Sequence, residues 1–599
     1  MLNIVNLAAT IILFYGTAHF IGHIVSQKLT IGLSHSASIG LILISTISTY
    51  YAYLKIDFKW LAYFFLVVVA SAVISQLRNL RRNLNYTNEA LTTLVSILIT
   101  TPIILFFLPL IKKYGLGVHS VGNLDPLMFG LIAKHVEHYG FDSRLSLQNF
   151  DLGFNATWNW TGTQTLLASF SSLRDLFPSE NGSTYIAFVA TLFLIMGKAS
   201  LKFIVNQFDT KPSTLLVIVL SLMITIGMAN QVNLFMIANG FLAQLLFASL
   251  VPEFINSLSL AWKKKQGSSQ MIVFTLVYGG LFSMYFAGAI ILLPLTVLLL
   301  ISTMRNLRER KKLPPVRNIR ENSSKHFAYA AAAFIITSFP ALNFLKIYGL
   351  SFLSSATPTW NIPSVNMLSL IPGMPICQPI GNNATCSTPP AIFGIIFALV
   401  MYVFAIIGFE STKNPRKFEK ASLQYLIFGL MAIASLLASH KYQYWKIFTI
   451  IQLMYLTLYI PYWSLKGLLQ IRNINKRKIT VKNSVFLVIL VLPIVQSAIV
   501  SSNMWNRSIW SYYTTKDEVN LKESQLLKDL NGVNIQGIGS ELMRMSYFVP
   551  TKNQQIIGSG SYFTPGEIIY KYTLINKNQE AWINSSEKIS INETYGLVE

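Results

Sequence analysis

Apolar residues in this chain come mostly in long unbroken runs, neither alternating as in a half-buried strand nor forming the one-sided stripe of a surface helix. The runs lie at about 3–25, 36–53, 60–76, 91–111, 184–206, 213–229 and 233–252, then at 327–348, 391–409, 422–438, 447–465 and 484–502. The stretch 271–303 (MIVFTLVYGGLFSMYFAGAIILLPLTVLLLIST) is too long for one helix and predicts two, turning around Ser283–Gly288. Each run of about 17–25 residues suffices to cross a hydrocarbon layer of about 30 Å as a helix. The pattern predicts an all-α polytopic membrane protein of about fourteen transmembrane helices.

Polar segments divide these runs unequally. The longest in the first two-thirds of the chain is Gly115–Leu173, which contains the amphipathic stretch DPLMFGLIAKHVEHYG. Asp125 followed by Pro126 predicts a helix start there: the aspartate accepts orphan amide protons, and proline has none to lose. A second long segment covers 349–390. Short connections carry basic clusters instead: Arg78, Arg81 and Arg82; Lys263, Lys264 and Lys265; the linker 305–326; Lys413, Arg416 and Lys417; Arg472, Lys476 and Arg477. Basic clusters mark cytoplasmic connections. The loops 112–183 and 349–390 and both termini are therefore expected outside a plasma (cytoplasmic) membrane.

Composition agrees. Of the 599 residues 53% are hydrophobic and only 12% charged, about half the charged share of a soluble domain, and the mean hydropathy is +0.50. The net charge of +23 then belongs to cytoplasmic loops and not to a nucleic-acid surface. The first run begins at Leu2 without a basic leader, so it reads as a first helix and not as a signal peptide.

Residues 503–599 are polar and lack a spanning run. LKESQLLKDL predicts a helix, and GVNIQGIGS, QQIIGSGSYF and GEIIYKYTLIN predict strands, giving a small extracytoplasmic α/β domain. The chain divides into accessory helices (1–90), a membrane catalytic domain (91–502) and this C-terminal domain (503–599).

Candidate chemistry follows from where acids stand. Between 184 and 502 every acid, Glu253 among them, falls on an expected cytoplasmic connection, leaving the spans and the 349–390 loop without carboxylates. Of the acids in the first loop, Asp125 (VGNLDPLMF) and Asp151 (LQNFDLGF) sit in apolar and aromatic surroundings that raise a carboxyl pKa and suit a general base. Glu137, Asp142, Asp175 and Glu180 lie in more polar sequence and are expected to be solvated. The turn HKYQYWK brings His440, Lys441, Tyr442, Tyr444 and Lys446 together between two runs, where they either hold a lipid-linked phosphate or form an interfacial aromatic belt. Cys377 and Cys386, the only cysteines, lie nine apart in the second loop, where an oxidising compartment permits a disulfide. His19 and His23 have the i, i+4 spacing of metal ligands, but no acid or cysteine nearby completes a site, and no metal site is expected. There is no Walker loop, dinucleotide fingerprint or CxxC motif.

The arrangement resembles the GT-C superfamily, polytopic glycosyltransferases that use polyprenyl-phosphate-linked sugars on the outer side of a membrane. The resemblance rests on the acid and helix from Asp125 to Gly140, the aromatic segment FNATWNWTGTQTLLASF, the turn SMYFAGAIILLP, the late HKYQYWK turn and the terminal α/β domain; the oligosaccharyltransferase signature WWDYG is absent. It implies an inverting sugar transfer from a polyprenyl-phosphate donor to a cell-envelope glycan or lipid, with Asp125 as base and Asp151 second. Lys441, Tyr442 and Lys446 would stabilise the leaving phosphate. Lipid-linked donor, acceptor and membrane lipids are the implied partners, with no nucleic acid. A monophosphate donor requires no metal, and a divalent cation is the alternative. Two rival readings stand beside it: a polymerase or ligase of lipid-linked polysaccharide, and a lipid or glycan transporter, whose kind usually keeps charges within its spans.

Overall fold

The computed structural model describes residues 2–28, 36–80, 125–141, 161–176, 184–205, 214–228, 242–261, 267–285, 328–339, 377–380, 383–386, 392–410, 441–473, 512–513, 515–537, 540–551, 553–557 and 567–599, with isolated positions within 107–120 and 230–293. It is mostly helical, with a small C-terminal sheet. The described helices begin with α1 (Leu2–Lys28), α2 (Ser36–Tyr53), α3 (Phe58–Leu80), α4 (Asp125–Tyr139), α5 (Thr161–Asp175), α6 (Thr184–Val205), α7 (Thr214–Met228), α8 (Leu242–Ala261) and α9 (Gly267–Met284). After an apolar helix at Ala328–Phe339 come α10 (Ile392–Glu410), α11 (Lys441–Met454) and α12 (Ile460–Asn473).

Among the described residues, four helical segments are long and apolar enough to cross a membrane: Ile4–Ser26, Thr184–Val205, Ile392–Glu410 and Ile447–Gln470. Their surroundings differ. Helix α6 is buried along nearly its whole length, whereas α10 exposes a broad apolar face through Ile392, Ile396, Val403 and Ile406. An apolar face of that extent is costly in water and at no cost in lipid. The expected runs at 91–111, 422–438 and 484–502 lie wholly or almost wholly outside the described residues.

Small residues set the tightest helix contacts. A Cβ at Gly22 of α1 would lie 1.7 Å from the Ser36 carbonyl oxygen, and one at Gly40 of α2 would lie 1.7 Å from that of Ala18. Gly408 and Gly467 do the same for α10 and α12, at 2.0 and 2.1 Å from facing carbonyl oxygens. Backbones approach this closely only where neither helix carries a side chain at the crossing. Helices α1, α2 and α3 share one apolar core with α5, α6, α8 and α9.

Two helix boundaries differ from expectation. The run 233–252 was expected to end before Glu253, yet α8 continues through Pro252 to Ala261 and buries Glu253 completely. Packing of α8 against α6 and α9 overrides the proline break there. The HKYQYWK turn is helical from Lys441 onward, and that helix continues to Asn473 through a π-turn at Tyr455–Tyr459. Pro461 supplies no N–H to the ladder, which widens just before it: Ile460 N–H bonds to Tyr455 O. Helix α9 runs through Ser283 to Met284, and Tyr278 Oη donates to Ala289 O at 3.1 Å; the expected turn at Ser283–Gly288 lies partly outside the described residues.

The C-terminal domain holds α13 (Lys516–Asn520), α14 (Gln525–Asp529), β5 (Gly532–Ile535), α15 (Ser540–Phe548), β6 (Asn553–Ile556), β7 (Thr573–Asn576), α16 (Glu580–Asn584), β8 (Lys588–Ser590) and β9 (Tyr595–Val598). The sheet order is β6-β5-β7-β9-β8, with β5 parallel to β6 and β7, and β9 antiparallel to β7 and β8. Thr515 and Glu518 form a capping box that opens α13: Glu518 N–H donates to Thr515 Oγ1 at 3.2 Å and Thr515 N–H to Glu518 Oε2 at 2.8 Å. LKESQLLKDL forms two short helical pieces because Ser524 caps the second, accepting from Leu527 N–H. Strands β8 and β9 and helix α15 lie outside the segments singled out from sequence.

Candidate functional site

The 112–183 segment contributes two described helices to the bundle. These are α4 and α5, and both pack against α2. Helix α4 ends at Gly140, whose φ of +60° is left-handed and suits glycine. Gly140 sits against α2, where a Cβ would lie 2.3 Å from Ala52 O, and Phe141 N–H bonds to that same oxygen at 3.0 Å. Helix α5 runs alongside α2 in the same direction. Ser45 Oγ donates to Gly162 O at 2.7 Å, and Thr49 and Thr165 hydroxyls meet at 2.8 Å, so the contacts climb both helices together.

Helix α4 packs on α5 on one side and on α15 of the C-terminal domain on another. Lys134 carries the second contact: Nζ donates to Ser546 O at 3.2 Å and also to Val549 O, at the C-terminal end of α15 where backbone carbonyls have no partner within the helix. Tyr139 Oη donates to Asn553 Oδ1 at 3.1 Å. On α5, Arg174 and Lys522 both bind the Asp175 carboxylate, Lys522 at 3.0 Å. Upstream, His119–Ser120 (β1) pairs antiparallel with Tyr512–Tyr513 (β4), near the start of the C-terminal segment.

Glu137 lies within this junction and is 7% exposed, not solvated as its polar sequence suggests. Burial, reinforced by the Asp175 carboxylate, pushes its pKa up to about 8, against the opposing pull of Lys522 and Arg174. Burial likewise lowers Lys134 to about 7, with Lys522 adding to the effect and Glu137 and Asp175 opposing it. Partial burial would raise Asp175, but Arg174 and Lys522 outweigh it and hold that carboxyl at about 2. These groups hold a proton-sensitive joint between the loop helices and the C-terminal domain. Sequence spacing gave one clue: Lys134 and Glu137 are three apart, on one face of a helix.

The expected site residues divide as follows. Asp125 is the first residue of α4, as the Asp-Pro pair predicts. Helices α4 and α5 pack side by side, and Glu137 lies within the field of Arg174 and Asp175, so their C-terminal ends meet and their N-terminal turns face the same way. Asp125 thus opens a helix held by both the bundle and the C-terminal domain. Asp151 and His440 lie outside the described residues. Lys441, Tyr442, Tyr444 and Lys446 occupy the first two turns of α11 and not a loop. Cys377 and Cys386 are register partners in a hairpin of β2 (Cys377–Ile380) and β3 (Asn383–Cys386).

No protein-family model and no curated protein matches the chain. Among the described residues no group of three or more His, Cys, Asp or Glu side chains comes together as a metal site.

Ionisable groups also lie inside the helical bundle, among the described residues. His19 and His23 stack at 6.1 Å on α1, and Lys198 Nζ of α6 donates to Tyr15 Oη at 3.0 Å. Of these, His23 and Lys198 are buried among apolar helices, as is Glu253.

Proposed function

We propose that this protein is a membrane glycosyltransferase that moves a sugar from a polyprenyl-phosphate donor to a cell-envelope glycan or lipid. In this reading the chain has about fourteen spans, with both termini, the 112–183 and 349–390 loops and the C-terminal domain on the outer face of the plasma membrane. The observation that carries it is the position of Asp125 at the head of a helix clamped between α5 and α15. A general base needs a rigid mount, and a helix fixed along its length provides one where a loop does not.

The chemistry balances without a cofactor. The Asp125 carboxylate accepts the acceptor hydroxyl proton as that oxygen attacks the anomeric carbon. The bond from that carbon to the phosphate oxygen breaks, and polyprenyl phosphate leaves with the electron pair. Lys441, Tyr442 and Lys446, at the positive N-terminal end of α11, stabilise the growing charge, with Tyr444 in the same turns and His440 next in sequence.

The test is transfer from a labelled polyprenyl-phosphate sugar by the purified full chain. Asp125→Asn keeps the helix cap, because Asn caps about as well as Asp, and should lower the rate about 10²- to 10⁴-fold with an unchanged melting temperature. Normal transfer by that variant removes Asp125 from the mechanism.

A second reading, a lipid or glycan transporter, is favoured by Glu253 buried in α8 and Lys198 buried in α6. Glu253→Gln that abolishes movement of a labelled lipid across vesicles, with no sugar transfer by the wild type, would select it.

A further inference from the structure

Helix α1 carries a row of polar rings. Tyr15, His19 and His23 are each four residues apart, the spacing that puts side chains one above another on a single helix face. The rings stack in turn, Tyr15 on His19 and His19 on His23, each pair with centroids 6.1 Å apart. Lys198 of α6 joins the row. Its Nζ donates to Tyr15 Oη at 3.0 Å, lies 5.7 Å from the centroid of that ring, and acts electrostatically on His19.

All four groups offer protons, and among the described residues only the Tyr15 oxygen accepts one of them. Lys198 is 5% exposed. No carboxylate among the described residues pairs with it, since the ion pairs there join Arg174 and Lys522 to Asp175, Arg544 to Glu518 and Lys571 to Glu599. Its ammonium has two N–H bonds beyond the one given to Tyr15, and that phenol keeps its own proton to donate. His23 is also 5% exposed, and neither of its ring nitrogens has a partner; Nδ1 of His19 has none either. An imidazole carries at least one N–H in either charge state. Donors thus gather here around a buried positive charge, and such a charge is strongly disfavoured without a counter-charge.

The row has an open side. A Cβ at Gly16, next to Tyr15, would meet nothing within 4 Å, and Ile12, one turn earlier, is exposed. The segment Ile4–Ser26 is long and apolar enough to cross a membrane, so an exposed isoleucine on it suits contact with acyl chains. A ligand with a negative head and an apolar tail fits both halves of this surface.

We propose that Lys198, with Tyr15, His19 and His23, binds the anionic oxygens of a lipid head group, a carboxylate or a phosphate, at the contact of α1 and α6. The ammonium supplies the charge, and the phenol and imidazoles supply hydrogen bonds to the head-group oxygens. This position is separate from Asp125, Lys441 and Lys446, and it stands whether or not the protein transfers sugar.

The experiment measures binding to the purified full-length protein in detergent, with oleate, oleoyl lysophosphatidate, oleyl alcohol and acetate as probes. Lys198→Met keeps the aliphatic stem and removes the buried charge. The variant should melt at or above the wild-type temperature while binding the anionic lipids about tenfold or more weakly, the scale of one lost charge-assisted bond. His23→Phe keeps a ring, removes both nitrogens and should give a smaller loss; it decides the question should Lys198→Met fail to fold. Asp125→Asn should bind like wild type, which separates this site from the catalytic reading. Oleate or lysophosphatidate held far more tightly than oleyl alcohol supports a lipid-borne anion, and the tighter of the two identifies the head group. Acetate binding that Lys198→Met abolishes supports the same site with a free anion as ligand. Oleyl alcohol bound as tightly as the anionic lipids, no anion binding by the wild type, or unchanged binding in both Lys198→Met and His23→Phe overturns the proposal and leaves the row to buried water.

Discussion

Lys134 and Ser546, 412 residues apart, are joined by a hydrogen bond of 3.2 Å from the lysine ammonium to a carbonyl at the end of α15. That bond fastens a helix of the 112–183 segment to the C-terminal α/β domain.

Lys134→Met keeps the aliphatic stem and removes the donor, leaving the carbonyls of Ser546 and Val549 without it. A lost charge-assisted bond of this kind costs about 1.5–3 kcal/mol. The loss should appear as faster release of residues 512–599 by limited proteolysis, with the helix content of the remaining helical bundle unchanged in circular dichroism.

Glu137 makes the same junction sensitive to pH. In the folded protein its pKa is raised to about 8, against 4.5 when exposed, so between these values the folded state holds a proton that the unfolded chain has shed. Its contribution is complete below about pH 4.5 and lost as pH rises toward 8. Lys134, lowered to about 7, acts in the opposite sense, its contribution rising from pH 7 toward 10.5. The melting temperature should therefore fall from pH 5 to 7, and Glu137→Gln should flatten that slope. Equal slopes in variant and wild type would assign the effect elsewhere.

Replacing Lys441 and Lys446 together by Gln leaves α11 intact, since Gln and Lys have similar helix propensities. On the transferase reading the donor KM should rise about tenfold or more, the scale of one lost charge-assisted contact. Thermal stability should hold, because both changes fall in the first two turns of the helix. A donor KM equal to that of wild type would place the phosphate elsewhere.

Cys377 and Cys386 face each other in the β2–β3 register, and directly opposed strand positions bring Cβ atoms to about 4.5–5.5 Å. Peptide mapping without reductant should recover the two cysteines as one linked fragment. Recovery of both as free thiols from freshly isolated membranes would oppose an extracytoplasmic position for this loop.

Much of the architecture was legible in the run lengths. The helix at 36–53 was expected at those limits and α6, α7 and α10 within a residue or so of theirs, because a long apolar run bounded by polar residues has few ways to satisfy its backbone. The start of α4 was legible for a local reason: Asp-Pro suits only the first turn of a helix. The extension of α8 past Pro252 was not, because neighbouring helices overrode the local signal. Nor was the burial of Glu137, since hydropathy ranks its segment as polar and only the docking of α15 and Lys522 encloses it.

The sequence by itself determined that this is a helical, apolar chain with a polar C-terminal domain, and where most of its helices begin. Those properties depend on residues near one another in the chain: caps, prolines and runs of uniform polarity. Tertiary structure alone decided that α5 runs alongside α2, that Lys198 meets Tyr15, and that Lys134 reaches Ser546. Each of these depends on segments more than a hundred residues apart meeting in space, and no local pattern specifies which polar groups are then left without water.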